Sequence, residues 1–262
     1  TGDGINDAPA LKKADVGVAM ALKGTDVSRE TADMILEDDN FASIVSAIHY
    51  GRIVYDNIKK FVNYLLSANT AEVGVILGGL LLGLPLPLLP LQILWINLMT
   101  DSWPALALGV DTPDSDVMKR KPRRPEESLF EGIRGQIILT GIVGTIVVLS
   151  VFWLSLKAYN ETTALTIAMT TLILFEILRA FSCKSTRPFS HVFSNKWLNL
   201  AALLSIGLQA IILYTPLNIA FKIVPLTGKE WVYSIFFALC GYMALELYKW
   251  IAAKKEESVV TT

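Results

Sequence analysis

Apolar residues come in six long runs, at about 61–82, 89–110, 135–156, 164–182, 197–214 and 231–252, separated by short polar or Pro- and Gly-bearing stretches. Each run is about 20 residues, the length at which a helix crosses a bilayer. The first run continues a longer pattern. Asp38-Asp39-Asn40 supplies N-cap side chains, and Phe41, Ile44, Val45 and Ile48 then recur at helical spacing. No proline follows until after Gly83, and about forty residues at 1.5 Å each give a helix of roughly 60 Å, twice a bilayer core. Its first part, 41–60, is amphipathic and carries Arg52, Lys59 and Lys60; from about Phe61 it is apolar. The pattern predicts a stalk helix running into a membrane span, with Gly83-Leu84-Pro85-Leu86-Pro87 turning the chain back.

Residues 1–40 have a different rhythm. Val16-Gly17-Val18-Ala19-Met20 and Met34-Ile35-Leu36 read as short strands among Gly, Asp and Thr, and Ala8 to Ala14 holds a short helix. Two strands and one helix bury too little for a core, so this segment reads as the C-terminal piece of an α/β domain. The polar opening Thr1-Gly2-Asp3-Gly4, without an initiator Met, reads as the interior of a longer polypeptide.

Composition agrees with a membrane setting: 53% of the residues are hydrophobic and 18% charged, against about 25% charged in soluble domains. A net charge of −1 implies no nucleic-acid partner. Cys183 and Cys240 are isolated thiols without metal-ligand spacing. Basic residues set the orientation. Lys119, Arg120, Lys121, Arg123, Arg124 and Arg134 follow the second run, Lys184, Arg187 and Lys196 the fourth, and Lys254 and Lys255 lie in the tail, 253–262; the opposite loops hold only Lys157, Lys222 and Lys229. The positive-inside rule makes this a multi-pass membrane protein with both ends cytoplasmic, and Trp153, Trp197, Trp231 and Trp250 fall where an aromatic belt is expected.

Three runs carry acidic side chains deep inside. Asn69 and Glu72 are three apart in the first, Asn97, Thr100 and Asp101 lie at helical spacings of three and four in the second, and Glu176 sits in the fourth. A carboxylate at membrane depth costs about 3 kcal/mol, so three facing lipid would cost on the order of 9 kcal/mol. They are expected to face one another, and converging carboxylate, amide and hydroxyl oxygens describe a hard-cation site. Calcium fits, and manganese accepts the same oxygens; the lack of His and Cys argues against zinc or copper. Pro104 is expected to break the second helix and free backbone carbonyls. The structural alternatives are Asn69 as interhelical glue, Thr100 bonded to its own backbone, and Glu176 paired with Arg179. Glu246 beside Lys249 reads as a salt bridge. At the other end of the chain, Thr1-Gly2-Asp3-Gly4-Ile5-Asn6-Asp7 is a Gly-flanked acidic turn that suits a phosphate with Mg2+ beside it.

Taken together, T-G-D-G-I-N-D-A-P-A-L-K-K-A-D-V-G-V-A-M, the stalk and the six runs closely resemble the C-terminal part of P-type cation-transporting ATPases, over essentially the whole chain. The nearest resemblance is to calcium pumps of the sarcoplasmic-reticulum type, through Asn69 and Glu72, through Asn97, Thr100 and Asp101, and through Glu176. Sodium–potassium pumps carry Asp at the position of Asn97, and pumps with one calcium site usually lose the glutamate of Glu72.

The resemblance implies a mainly α fold: a polytopic six-helix membrane bundle with a long stalk helix, after the end of a HAD-like phosphorylation domain at 1–40. It implies Ca2+ ligation by Asn69, Glu72, Asn97, Thr100, Asp101 and Glu176. Asp3 would bind Mg2+, Thr1, Gly2 and Asn6 would contact the phosphate with Asp7 close by, and the loop 111–125 would relay motion to the spans. ATP, Mg2+ and transported Ca2+ are the implied ligands, with the bilayer as surroundings. Protons are the expected counter-ion, since three bare charges in low dielectric cannot all stay ionised.

The family's phosphorylated Asp, its nucleotide-binding and actuator domains and its first four spans are absent from this chain, so it is inactive alone and requires catalytic domains on the same or a separate chain. Other readings are a non-catalytic membrane binding or regulatory module, or the same pump carrying Mn2+, Na+ or H+.

Overall fold

The structure is a computed structural model that describes residues 1–113, 116–124, 126–185, 188–189 and 193–260, the last six by backbone alone. Arg187, the Lys255 side chain and the 114, 115 and 125 positions of the 111–125 loop lie outside the described residues. The chain divides into two compact units, residues 1–55 with 113–121, and 56–112 with 122–262.

The first unit is built on a parallel sheet. Strand β1 (Val18–Met20) pairs with β2 (Met34–Leu36) in the register Val18↔Met34 and Met20↔Leu36, and Gly2 bridges Ala19 on its other edge. Helix α1 (Ala8–Lys13) makes one crossover and α2 (Asp26–Thr31) the other. Helix α2 is an addition to the sequence pattern. Its signal was a cap rather than a periodicity: Thr25 Oγ1 accepts the Ser28 amide at 3.3 Å.

Helix α3 (Ala42–Leu81) is one continuous helix of 40 residues. The acidic run before it divides the work. Asn40 Oδ1 accepts from the Ala42 amide at 2.9 Å and Asp38 from the Ser43 hydroxyl at 2.8 Å. Asp39, at φ 48°, turns back to accept the Leu22 and Lys23 amides. Arg52 Nη1 donates to the carbonyls of Val117 and Arg120 at 2.8 and 2.9 Å. Gly83 ends the passage at φ 65°, a conformation that suits glycine.

The remaining helices are α4 (Pro90–Trp95), a π turn (Ile96–Thr100), α5 (Ser102–Gly109), α6 (Arg134–Ala158), α7 (Glu161–Cys183), α8 (Lys196–Tyr214), α9 (Leu217–Phe221) and α10 (Gly228–Val260). Among the described residues, α3, α6, α7, α8 and residues 228–254 of α10 are long and apolar enough to cross a membrane. The run at 89–110 is divided among α4, the π turn and α5, and no single helix carries it.

Helix α7 is the centre of the second unit: 89% of its apolar window is buried, against 28–39% for the other four helices, so a polar group on α7 faces protein rather than lipid. Small residues let its neighbours approach. A Cβ on Gly141 would stand 2.4 Å from Thr70 Cγ2, and one on Gly144 would stand 2.8 Å from both the Ala71 Cβ and the Phe175 ring. Gly241 of α10 meets the same ring at 2.8 Å. Phe175 is therefore clasped between α6 and α10, which fixes the rotation of α7 and the direction of Glu176 beside it. Gly144→Leu is expected to lower stability by about 1–3 kcal/mol or more through overpacking, read as an earlier thermal transition in detergent.

Candidate cation site in the membrane helices

Proline 104 has no N–H to offer the Thr100 carbonyl, and its ring crowds that carbonyl. The helix answers upstream. The Asp101 amide bonds the Ile96 carbonyl, five residues back, at 3.0 Å, which makes 96–100 a π turn. The freed carbonyls take hydroxyl donors: Thr100 O accepts from Ser205 Oγ of α8 at 2.7 Å, and Asn97 O accepts from Ser102 Oγ at 3.1 Å. The expected break is therefore present but lies before Asp101 rather than at Pro104. The turn that carries Asn97, Thr100 and Asp101 is thus π rather than the regular α-helix expected.

Each goes its own way. Asn97 Nδ2 donates to both oxygens of Glu72, at 2.9 and 2.7 Å, and to Ile93 O. Thr100 is buried and bonds its own backbone, Oγ1 to Ile96 O at 3.0 Å. Asp101, also buried, accepts from the Tyr64 hydroxyl of α3 at 3.0 Å through Oδ1. Among the described residues its Oδ2 has no partner, and neither has either carboxylate oxygen of Glu176, which is 1% exposed. The two buried carboxyl groups act on each other electrostatically. Two such groups, with three buried oxygens lacking a donor, need a proton or a cation between them.

Asn69 is not brought to this group: it is exposed and donates to Leu65 O on its own helix at 2.9 Å. Nor do the three acids form one tight cluster. Among the described residues no three His, Cys, Asp or Glu side chains gather closely enough to hold a metal together. Glu72 is turned onto Asn97, which leaves Asp101 and Glu176 as the remaining pair. The alternative pairing of Glu176 with Arg179 is not found, since Arg179 bonds Asn63 and Ser67 instead. The Glu246–Lys249 bridge is present at 2.8 Å, and Cys183 and Cys240 are free thiols.

A second polar joint was not visible in the sequence. Asp111, 4% exposed, accepts from Lys60 Nζ at 2.7 Å and from Asn195 Nδ2 at 2.9 Å, while Asn57 Nδ2 bonds its carbonyl at 3.0 Å. It ties α3 to the end of α5 and to the N-cap of α8. The only local hint was Asn195, whose Oδ1 caps α8 through the Trp197 and Leu198 amides.

In the first unit, the opening turn stands at the carboxyl end of the Gly2 strand, the edge at which parallel sheets present ligand sites. Asp7 Oδ2 accepts the Asp3 and Gly4 amides, each at 3.0 Å, and a Cβ on Gly2 would stand 2.4 Å from Asp7 Cβ. The Asp3 carbonyl accepts from the Thr25 amide and Ser28 Oγ. Thr1, Asp3 and Asn6 remain exposed. The Gly4 amide, and then the Asp3 amide, hold the Asp7 carboxyl below the usual carboxylate range. With the folded pKa depressed, its contribution to the turn is complete above the unfolded value and is lost as pH falls through the folded one. Asp7→Ala, which removes the acceptor, is expected to remove the protection of the Asp3 and Gly4 amides in hydrogen exchange at neutral pH.

The sequence profile of the C-terminal region of cation-transporting ATPases matches residues 85–251. The chain belongs to this family. Within it, the chain is 46% identical over 241 residues to the calcium-transporting ATPase of Bacillus subtilis, covering 90% of the chain and 27% of that protein. It is 40% identical over 270 residues to calcium-transporting ATPase 1 of Bacillus cereus, covering 95% of the chain and 30% of that protein. The endoplasmic reticulum-type calcium-transporting ATPase 3 of Arabidopsis thaliana is 38% identical over 286 residues, which cover 96% of the chain and 29% of that protein. The chain spans less than a third of the length of these relatives. The orphaned acids thus belong to a P-type cation-transporting ATPase, Glu176 on a helix long and apolar enough to cross a membrane and Asp101 at the break in the 89–110 run.

Proposed function

We propose that this chain is the cation-binding and translocating part of an ATP-driven calcium pump that moves Ca2+ out of the cytoplasm, with protons carried the other way. The observation that carries the reading is the buried pair Asp101 and Glu176, three of whose oxygens lack a donor among the described residues, beside Glu72 and Asn97. Hard divalent cations take such oxygens.

The site assembles as the cation arrives. Asn97 now covers Glu72 with its amide nitrogen; rotation of that amide presents Oδ1 and frees the Glu72 carboxylate. Thr100 completes the set by leaving its own backbone, whereas Asn69 would have to move in from the exposed face of α3 to join it. The break at 96–100 lets these side chains turn without unwinding a whole helix. Protons replace Ca2+ between the carboxyl groups when the ion leaves, and they are the counter-ion.

In this reading 1–40 closes a HAD-like phosphorylation domain, 41–60 is the stalk, and the broken 89–110 run is the second of six spans, with both ends cytoplasmic. Exposed Asp3 fits a Mg2+ ligand, Thr1, Gly2 and Asn6 contact the phosphate, and Asp7 shapes the turn. ATP and Mg2+ act with catalytic domains supplied by the same or a separate chain. The grip of Arg52 on Val117 and Arg120 supports the 111–125 loop as the relay.

Reconstitution of the complete pump in vesicles tests this. ATP-driven Ca2+ uptake, with proton efflux and weaker competition by Mn2+ and Na+, is the expected result. Uptake of Mn2+ or Na+ without Ca2+ would reassign the ion, and no ATP-driven uptake would leave a non-catalytic membrane module.

A further inference from the structure

Arg179 is the largest fully buried side chain of the described residues, and among them no carboxylate pairs with it. It lies one turn after Glu176 on α7, and its side-chain partners are not the candidate ligands. Its Nη2 donates to Asn63 Oδ1 at 3.1 Å and to Ser67 Oγ at 3.4 Å, both on α3, and its Nη1 donates to Ser182 Oγ at 3.4 Å. Nε has no partner. Asn63 in turn donates to Gln136 Oε1 of α6 at 2.9 Å. Ser182 donates to Glu246 Oε1 of α10 at 2.6 Å, and Lys249 and the Phe189 amide hold that carboxylate. The guanidinium therefore ties α7 to α3 directly through neutral oxygens, and reaches α6 and α10 through Asn63 and Ser182, inside an environment where a buried charge is otherwise unfavourable.

Two of those helices carry the candidate ligands. Glu72 stands on α3 beyond Asn63 and Ser67, and Glu176 stands on α7 just before Arg179. Rotating α3 against α7 would change the spacing of Glu72 from Asp101 and Glu176, and the same rotation would break the bonds of Arg179 to Asn63 and Ser67. Phe175 sets the rotation of α7 against α6 and α10, and the bonds of Arg179 to Asn63 and Ser67 add a polar tie between α7 and α3. Arginine suits the post because its planar fork reaches two helices at once.

We propose that Arg179 is a positioning residue for cation binding: it holds α3 and α7 at the rotation that brings Glu72 into reach of the Asp101–Glu176 pair. This rests on the calcium-pump reading above. The test uses the complete pump and measures the Ca2+ concentration for half-maximal phosphorylation by ATP, with the maximal level normalised to folded protein. Arg179→Gln is expected to raise the half-maximal concentration about tenfold or more, with the maximum within about twofold of wild type. Arg179→Lys, which keeps the charge but not the fork, should show a smaller rise. A purely structural residue would lower the yield of folded protein and leave the half-maximal concentration alone, and that result overturns the proposal.

Should Arg179→Gln fail to fold, Asn63→Ala removes the α3 acceptor at less disturbance. It is expected to shift the half-maximal concentration about threefold, and an unchanged value there overturns the proposal as well. Wild-type protein whose phosphorylation ignores Ca2+ would instead defeat the pump reading itself, so the two failures are distinct.

Discussion

Glu72→Gln and Asp101→Asn, introduced singly into the complete pump, are each expected to abolish calcium-dependent phosphorylation by ATP at Ca2+ concentrations that saturate the wild type. Both substitutions keep size and polarity and remove only a negative charge. Glu72→Gln leaves an oxygen to accept from Asn97 Nδ2, and Asp101→Asn leaves one to accept from the Tyr64 hydroxyl. The helices therefore have no packing reason to move, and a loss of phosphorylation reports on the cation rather than on folding. A buried charged partner contributes about 2–5 kcal/mol, or roughly 30- to 5000-fold in affinity. Thermal transitions near the wild-type value, together with absent phosphoenzyme, would bear this out. Wild-type phosphoenzyme levels in either variant would remove that residue from the ligand set.

Asp111→Ala is expected to be the most destabilising substitution outside the apolar core, by about 2–4 kcal/mol. Breaking a buried ion pair leaves its partner uncompensated, at about 3–5 kcal/mol; the figure is reduced because the Lys60 side chain is 13% exposed and its long stem can carry the ammonium outward. Asn195 loses an acceptor in the same step, at the start of α8. The loss should appear as an earlier thermal transition in detergent, and Lys60→Met combined with Asp111→Ala should recover most of it. Glu131→Ala makes the contrast. Its pair with Arg124 is 3.9 Å long, with side chains 55% and 79% exposed, and removing it should change stability by less than about 0.5 kcal/mol. Equal losses in Asp111→Ala and Glu131→Ala would contradict the role of burial.

What the sequence made legible was whatever depends on local order. Strands at Val18–Met20 and Met34–Leu36, the capped start of α3 and the run to Gly83 follow from short-range chemistry, and the structure contains them. The depth of Glu72, Asp101 and Glu176 was equally plain, since a carboxylate amid 20 apolar residues has few places to face. The directions of the side chains were not. Helical spacing places Asn69 and Glu72 on neighbouring turns, yet one is exposed and the other buried, because the packed face of α3 is set by its partners and not by its own period.

The π turn was hidden for a similar reason. Pro104 announces a lost hydrogen bond, but where the helix absorbs the loss depends on which donors lie near, here Ser205 of α8 and Ser102. Arg179 and Asp111 were illegible because their partners are 116 and 84 residues away at Asn63 and Asn195. Only folding brings such groups together.

Equilibrium binding of radioactive Ca2+ to the complete purified pump, without nucleotide, tests the central claim most directly. Saturable binding in the wild type that is lost in Glu72→Gln, Asp101→Asn and Glu176→Gln is the predicted result. Binding that survives all three substitutions would place the cation elsewhere and contradict the site built on these acids.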